Sequence, residues 1–208
     1  MLPSTFEELL PIGRSIKKKT SFYEKPPAVI KVDINLALLG NRKVPSLSFN
    51  FRIGRSTVTS IFSEVPQKIW KTLSPVSVKM PATEASWKSL AKDFWTLWGY
   101  LLCIGAIDGK HCVIICPQKP GSSYYNYKGS FSIVLMAIAD TSYMFTYVNV
   151  ENYGRQSDVG VYGCSNFGKA LLSKKLVTPD GDNLPKTNLH AKYCFIGDEA
   201  FPLKENMQ

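Results

Sequence analysis

The sequence has no long apolar run. Its longest, Leu97–Ile107, is about half of what a bilayer-spanning helix needs and ends at Asp108, so no membrane partner is expected. The opening MLPSTFEELLPIG lacks the basic-then-apolar order of a signal peptide. Cysteines are few and odd in number: the five lie between Cys103 and Cys194, which suits a reducing compartment better than a disulfide framework. Nucleus or cytoplasm is therefore the expected location. Metal-ligand patterns of the zinc type are missing too, because Cys112 and Cys116 beside His111 have no second ligand pair, and His190 has no evident partner. These two cysteines read as buried free thiols of an apolar strand. No phosphate-binding glycine loop, dinucleotide fingerprint or Ser/His/Asp arrangement is present. Gly (14) and Pro (13) are scattered without a period, which excludes a collagen-like or low-complexity chain, and no internal repeat is visible.

Acidic residues are scarce in one half only. Residues 1–100 hold 15 Lys/Arg against 7 Asp/Glu, whereas residues 101–208 hold 10 against 9, so nearly all of the net +9 is N-terminal. A basic half joined to a near-neutral half suggests a polyanion-binding segment attached to something else. The chain is not disordered: at 45% hydrophobic and 20% charged residues it has ample material for a core.

Residues 1–27 read as a basic arm or linker, with Arg14 and Lys17–Lys19 forming a short run of the nuclear-import type and Pro26-Pro27 closing it. Residues 28–98 read as a helical region. Val29, Val32, Leu36 and Leu39 share one face of a helix over 28–39 that ends at Gly40-Asn41. Within about residues 45–65 the order is short helix (Leu47, Phe49, Phe51), turn at Ile53-Gly54, and a second helix from near Ser56 with Val58, Ile61, Phe62 and Val65 inward. That is the pattern of a helix-turn-helix. Its exposed face would offer Arg52, Arg55, Ser56, Thr57, Thr59 and Ser60 to phosphates and base edges, although Ser56 is equally an ordinary helix cap. Trp70, Trp87, Trp95 and Trp98 are expected to anchor the core.

From residue 101 the hydrophobic period changes to two. Residues 101–116, 131–140 and 144–152 read as strands, the last two close enough for a hairpin. A helix is expected in the second part of 158–176, then a loop with Pro179, Gly181 and Pro185, then a fourth strand ending at Asp198. This order makes an α/β fold with a mixed sheet. Asp108 follows Ile104–Ile107 in a strand that should be central, where an ionised group is costly unless it is paired or holds a cation. Asp198 follows Cys194–Gly197 in the same way. If the two strands are neighbours, their carboxylates meet and suit Mg²⁺ or Mn²⁺, hard cations that prefer oxygen and keep open positions for phosphate and water.

The segments GAIDGKH (105–111), SSYYNYKGSFSIVLMAIAD (122–140), GRQSD (154–158) and IGDEAFPL (196–203) resemble the catalytic domain of PIF/Harbinger-class transposases and the nucleases domesticated from them. FRIGRSTVTSI (51–61) resembles the helix-turn-helix that precedes that domain. The resemblance implies an RNase H-like fold, a DDE superfamily endonuclease domain over 101–208, and two divalent cations held by an acidic triad that cuts DNA. Asp108 matches the first Asp of the triad and Asp198 the second, with Asp158 a recurrent acidic position as a further metal candidate. Lys110, His111, Tyr125, Asn126, Tyr127 and Lys128 fall at motif positions near the site, and Lys110 and Lys128 are candidates for DNA phosphate. For Tyr124, Tyr125 and Tyr127 loop packing is the alternative. A separate DNA-binding partner protein is a feature of the family.

The sequence departs from the family in one respect. The third acidic residue of the triad lies on a helix well beyond the second Asp, and here only Glu199 and Glu205 follow Asp198 before Gln208. Glu199 belongs to the GDEAF segment itself. The expectation is thus a C-terminally truncated RNase H-like sheet with part of its core uncovered, and a nuclease that is weak or inactive. The alternative is a non-catalytic DNA-binding or interaction module derived from a transposase.

Overall fold

The computed structural model describes residues 26–117, 122–173, 175–185, 187–199 and 201, without the side chains of Glu151, Asn152 and Asp158. The basic run at Arg14 and Lys17–Lys19 lies outside the described residues. Contacts divide the chain into two units, Met1–Val76 and Ser77–Gln208. Among the described residues no helix is long and apolar enough to cross a membrane.

Among the described residues the first unit has three helices: α1 (Ala28–Leu39), α2 (Val44–Asn50) and α3 (Arg55–Ser77). Its core is Ile34 of α1, Leu47 of α2 and Val58, Ile61 and Val65 of α3. The bounds of α1 are those expected, but its inward face is not. Lys31, Val32, Ile34 and Asn35 are buried, whereas Val29 and Leu39 are exposed. A 3-4-3 apolar spacing fixes the period and leaves the winning face to tertiary contacts, and here Asn35 gains a place inside by donating to Lys31 O (2.8 Å). Phe49, expected inside, is 86% exposed, and Phe62 is exposed as well. The turn after α2 closes through Arg52 N–H to Phe49 O (3.3 Å) and Ile53 N–H to Ser48 O (3.1 Å). These paired bonds form a Schellman cap, with Arg52 at φ 51° in the left-handed position that glycine usually fills. Helix α3 begins at Arg55, with Gly54 O accepting from Val58 N–H, so Ser56 lies in its first turn. It continues through Pro66 and Pro75 instead of ending there. Each proline removes one ladder bond; the helix outlasts them because Val58, Ile61 and Val65 anchor the turns before.

The second unit opens with α4 (Glu84–Trp98). Thr83 and Ser86 form a reciprocal capping box, Gly99 at φ 72° ends the helix, and Trp87, Ala91 and Phe94 form its buried stripe. Of the four tryptophans only Trp87 is an anchor, edge-on to Phe195 at 6.0 Å; Trp70, Trp95 and Trp98 are about half exposed. Because α4 packs on the first strand of this unit, the boundary between units falls at Val76/Ser77 and not near residue 100.

Four strands form the main sheet: β1 (Cys103–Val113), β2 (Ser132–Ala139), β3 (Phe145–Tyr153) and β6 (Cys194–Ile196), in the order β3-β2-β1-β6. β2 and β3 make the expected antiparallel hairpin, β1 is antiparallel to β2, and β6 is parallel to β1. Where one helix was expected there are two, α5 (Asp158–Cys164) and α6 (Asn166–Leu172). They break at Ser165, extended at ψ 152°, whose hydroxyl donates to Tyr162 O (2.7 Å) and accepts from Gly168 N–H (2.9 Å). A two-stranded ribbon, β4 (Asp182–Asn183) with β5 (His190–Ala191), occupies the loop before β6. Phe167 joins helices to sheet through Phe195 (5.0 Å) and Tyr147 (5.5 Å).

Candidate active site

The pairing of β1 with β6 places the two aspartates. Ala106 is the register partner of Ile196, and Asp108 and Asp198 each follow two residues later on these parallel neighbours. Side chains alternate along strands, so Asp108, inside β1, keeps the parity of Ala106, while Asp198 lies two residues past the end of β6. The parallel pairing thus brings the segment of β1 that leads into Asp108 beside the end of β6 that leads into Asp198.

Two glycines make this approach possible. A Cβ on Gly105 would lie 2.9 Å from Ile138 Cγ2 and 3.0 Å from Phe195 Cδ1. One on Gly197 would lie 2.9 Å from Phe201 Cδ2 and 3.1 Å from Ile107 Cγ2. The GAID and GDEAF segments thus carry glycine where β1, β6 and Phe201 touch.

The burial cost expected for Asp108 does not arise, because its side chain is exposed. β1 is central over Cys103–Ala106, but β6 ends at Ile196, and from Asp108 onward no strand among the described residues pairs with that edge. One oxygen, Oδ1, accepts from Gly109 N–H at 2.7 Å, which orients the carboxylate. Asp198 is exposed too, and its carbonyl accepts from Phe201 N–H at 3.1 Å, folding the GDEAF turn back on the core. The donors at this level are exposed, hard oxygens, a set suited to Mg²⁺ or Mn²⁺. Among the described residues no group of three His, Cys, Asp or Glu comes together. Asp158 opens α5, with its side chain outside the description. Glu199 is exposed beside Asp198, and Glu205 lies outside the described residues. Asp140 is committed elsewhere, with Oδ1 accepting from Ser142 N–H (2.8 Å) and Met144 N–H (2.9 Å) in the β2–β3 turn. Cys116 is exposed and Cys112 half-buried, because β1 has run past the core there; the buried thiols are Cys103 and Cys194.

The other motif residues gather farther along β1. Lys110 is exposed on the face of Asp108, while His111 points to the opposite face. Tyr125, Asn126 and Tyr127 join His111, Gly154, Arg155, Gln156 and Ser157 around a cleft of about 560 Å³. Asn126, 3% exposed, organises this loop: Nδ2 donates to Ser130 Oγ (3.0 Å) and Ser132 Oγ (2.8 Å), and Oδ1 accepts from Lys128 N–H and Ser130 N–H (both 3.0 Å). Ser132 Oγ also meets His111 Nδ1 at 3.0 Å. Tyr124 packs edge-on to Tyr153 and Tyr125 to Phe131, so for these two rings loop packing is what the structure shows. Ser130, Ser132 and Arg155 escaped sequence reasoning as individuals. Their signal was faint: two serines flanking a strand start, and an arginine inside GRQSD.

In the first unit Pro45, Ser48, Phe49, Arg52 and Arg55 line a shallow depression of about 440 Å³. Arg52, Arg55 and Ser56 are exposed and Thr57 is half-buried. Thr59 spends its hydroxyl on Arg55 O (3.1 Å) and Ser60 is half-buried, so the polar face is narrower than expected.

Residues 107–208, which include both aspartates, match the family described as DDE superfamily endonuclease. The rat protein named "Putative nuclease HARBI1" is 28% identical over 124 residues, 60% of this chain, and the match spans 32% of that relative's length. No solved structure matches. The matched segment lies within the second unit and is similar to DDE superfamily endonucleases. These two matches support a transposase-derived DDE family, in agreement with the Harbinger-like motifs.

Proposed function

We propose that the second unit is a metal-dependent DDE endonuclease with an RNase H-like sheet, cutting DNA phosphodiesters at Asp108 and Asp198. The observation that supports this reading is the parallel register of Ala106 with Ile196, each two residues ahead of one of the aspartates. Asp108 and Asp198 would hold the cation, with Asp158 as a further candidate ligand. When bound, Mg²⁺ or Mn²⁺ lowers the pKa of the attacking water and neutralises charge on the leaving oxygen. The protein's own part is to hold Asp108 through Gly109 N–H and to offer Lys110, on the same face, to a neighbouring phosphate. The first unit acts as a helix-turn-helix that holds duplex DNA through Arg52, Arg55, Ser56 and Thr57, and Lys128 adds a phosphate contact in the second. A separate DNA-binding protein supplies further target recognition, and the nucleus is the place of action.

The test is nicking of supercoiled plasmid with Mg²⁺ or Mn²⁺. Slow nicking that stops with chelator and in both Asp108→Asn and Asp198→Asn is expected. Equal nicking by wild type and Asp108→Asn would overturn the assignment.

A second reading starts from the lack, among the described residues, of any group of three His, Cys, Asp or Glu. On it the chain binds DNA without cutting it. Binding would then survive Asp108→Ala and Asp198→Ala, fall steeply with salt, and weaken in Arg55→Ala.

A further inference from the structure

The cleft beside His111 is unused by the chemistry above. It lies three residues beyond Asp108, about 10 Å along β1 and on the opposite face, so it is not part of the carboxylate pair. We propose that it is a subsite for an unpaired nucleotide of a DNA strand, with the base stacked on Tyr127 and the phosphate held by Arg155 and Lys128. The inference rests on DNA being the substrate.

Three observations support it. Tyr127 is 80% exposed on a loop that is otherwise locked, and it is held by two polar neighbours: His111 edge-on at 5.6 Å and Lys128 Nζ at 5.3 Å from the ring centre. A ring that packs on no core residue and keeps most of its surface open is shaped for a planar partner. The loop is also pre-organised. Asn126 satisfies its whole amide group within the turn, and Tyr125 bridges its backbone to Phe131, which lowers the backbone ordering cost of binding. Finally, among the described residues the lining contains His111 and Arg155 and no carboxylate. Arg155 is fixed by its Nη1 donating to Ser122 Oγ (3.0 Å) and its N–H to Ser123 O (3.0 Å), leaving an exposed guanidinium aimed by the loop. Duplex DNA keeps its bases stacked on one another and offers Tyr127 no open face, which is why the ligand is an unpaired nucleotide.

The experiment is fluorescence anisotropy of the full chain with a labelled single strand and with the same sequence as a blunt duplex. Tyr127→Ala should weaken single-strand binding by about tenfold, and Tyr127→Phe, which keeps the ring, should stay near wild type. Arg155→Ala should weaken it as well. As a check on the unmodified protein, the single strand should protect Tyr127 from nitration by tetranitromethane, read by peptide mass. Wild-type affinity in Tyr127→Ala, or no protection of Tyr127, would overturn the inference. Failure of the nuclease reading is seen separately, in the Asp108→Asn nicking assay, and failure of the duplex-binding reading in Arg55→Ala.

Discussion

Gly105 of β1 and the ring of Phe195 of β6 touch so closely that a Cβ at Gly105 would fall 3.0 Å from the ring. Phe195 is fully buried between Trp87 and Phe167 and has little room to retreat. Gly105→Ala should therefore push β6 from β1 and destabilise the second unit by about 1–3 kcal/mol, the usual cost of overpacking. Denaturant unfolding measures it. Since β6 leads directly into Asp198, nicking should fall further than stability alone accounts for.

Asp108 is exposed, and its Oδ1 bond to Gly109 N–H is one an asparagine oxygen can also make. Asp108→Asn should leave the unfolding free energy within about 0.5 kcal/mol of wild type in chelator. With saturating Mg²⁺ the wild type should melt higher, by linkage of binding to folding, and the variant should not. An equal Mg²⁺-induced rise in both proteins would show that the cation binds elsewhere.

The parallel strands that lead into the two candidate aspartates are legible because both announce themselves in the same way, as an apolar run with glycine next to an acid. What the pattern could not tell was cost. It treats Asp108 as interior because β1 is central, yet β6 is only three residues long and leaves that level open. The same blindness explains α1, where Asn35 is buried and Leu39 exposed: hydrophobicity ranks residues, while whether an amide's Nδ2 finds a partner inside is decided by a backbone carbonyl that no single sequence displays. Asn126 was visible as a motif residue, but its work as the lock of a loop depends on Ser130 and Ser132 converging on it.

Removing that lock should be costly. Asn126→Ala deletes two donated and two accepted main bonds in a buried site and strands Ser132 between His111 and a void. A loss of about 2–3 kcal/mol is expected, read by denaturant midpoint. Single-strand binding should fall with it.

Arg52 separates stability from binding in the first unit. It occupies the left-handed cap of α2 at φ 51°, a conformation costing a non-glycine residue about 1 kcal/mol. Arg52→Gly should keep both cap bonds and leave stability equal or up to about 1 kcal/mol higher. It should also weaken duplex binding by removing an exposed cation. A variant that is more stable yet binds DNA as tightly as wild type would remove Arg52 from the interface.

The thiols report on whether β6 stays docked. Cys103 and Cys194 are register partners on β1 and β6 and both are buried, whereas Cys116 and Cys164 are exposed. Iodoacetamide should alkylate the exposed pair in the native protein and spare Cys103 and Cys194 until denaturant is added. Burial pushes the Cys103 thiol from 9.0 up to about 11 and raises Cys194 as well. A thiol whose folded pKa lies above its unfolded value holds its proton longer in the folded state. The stability linked to it is complete below pH 9 and is lost as pH rises through the window from 9.0 to about 11. For Cys103 the loss approaches about 2–3 kcal/mol at the upper end. Tyr162 and Tyr193, also raised by burial, add the same sign only above pH 10. Urea unfolding at pH 8, 9 and 10 should therefore show a decline that Cys103→Ala makes shallower. If Cys103 instead alkylates at the rate of Cys116 in native buffer, β6 leaves β1 readily, and the two aspartates are held together only when DNA or metal draws the strands in.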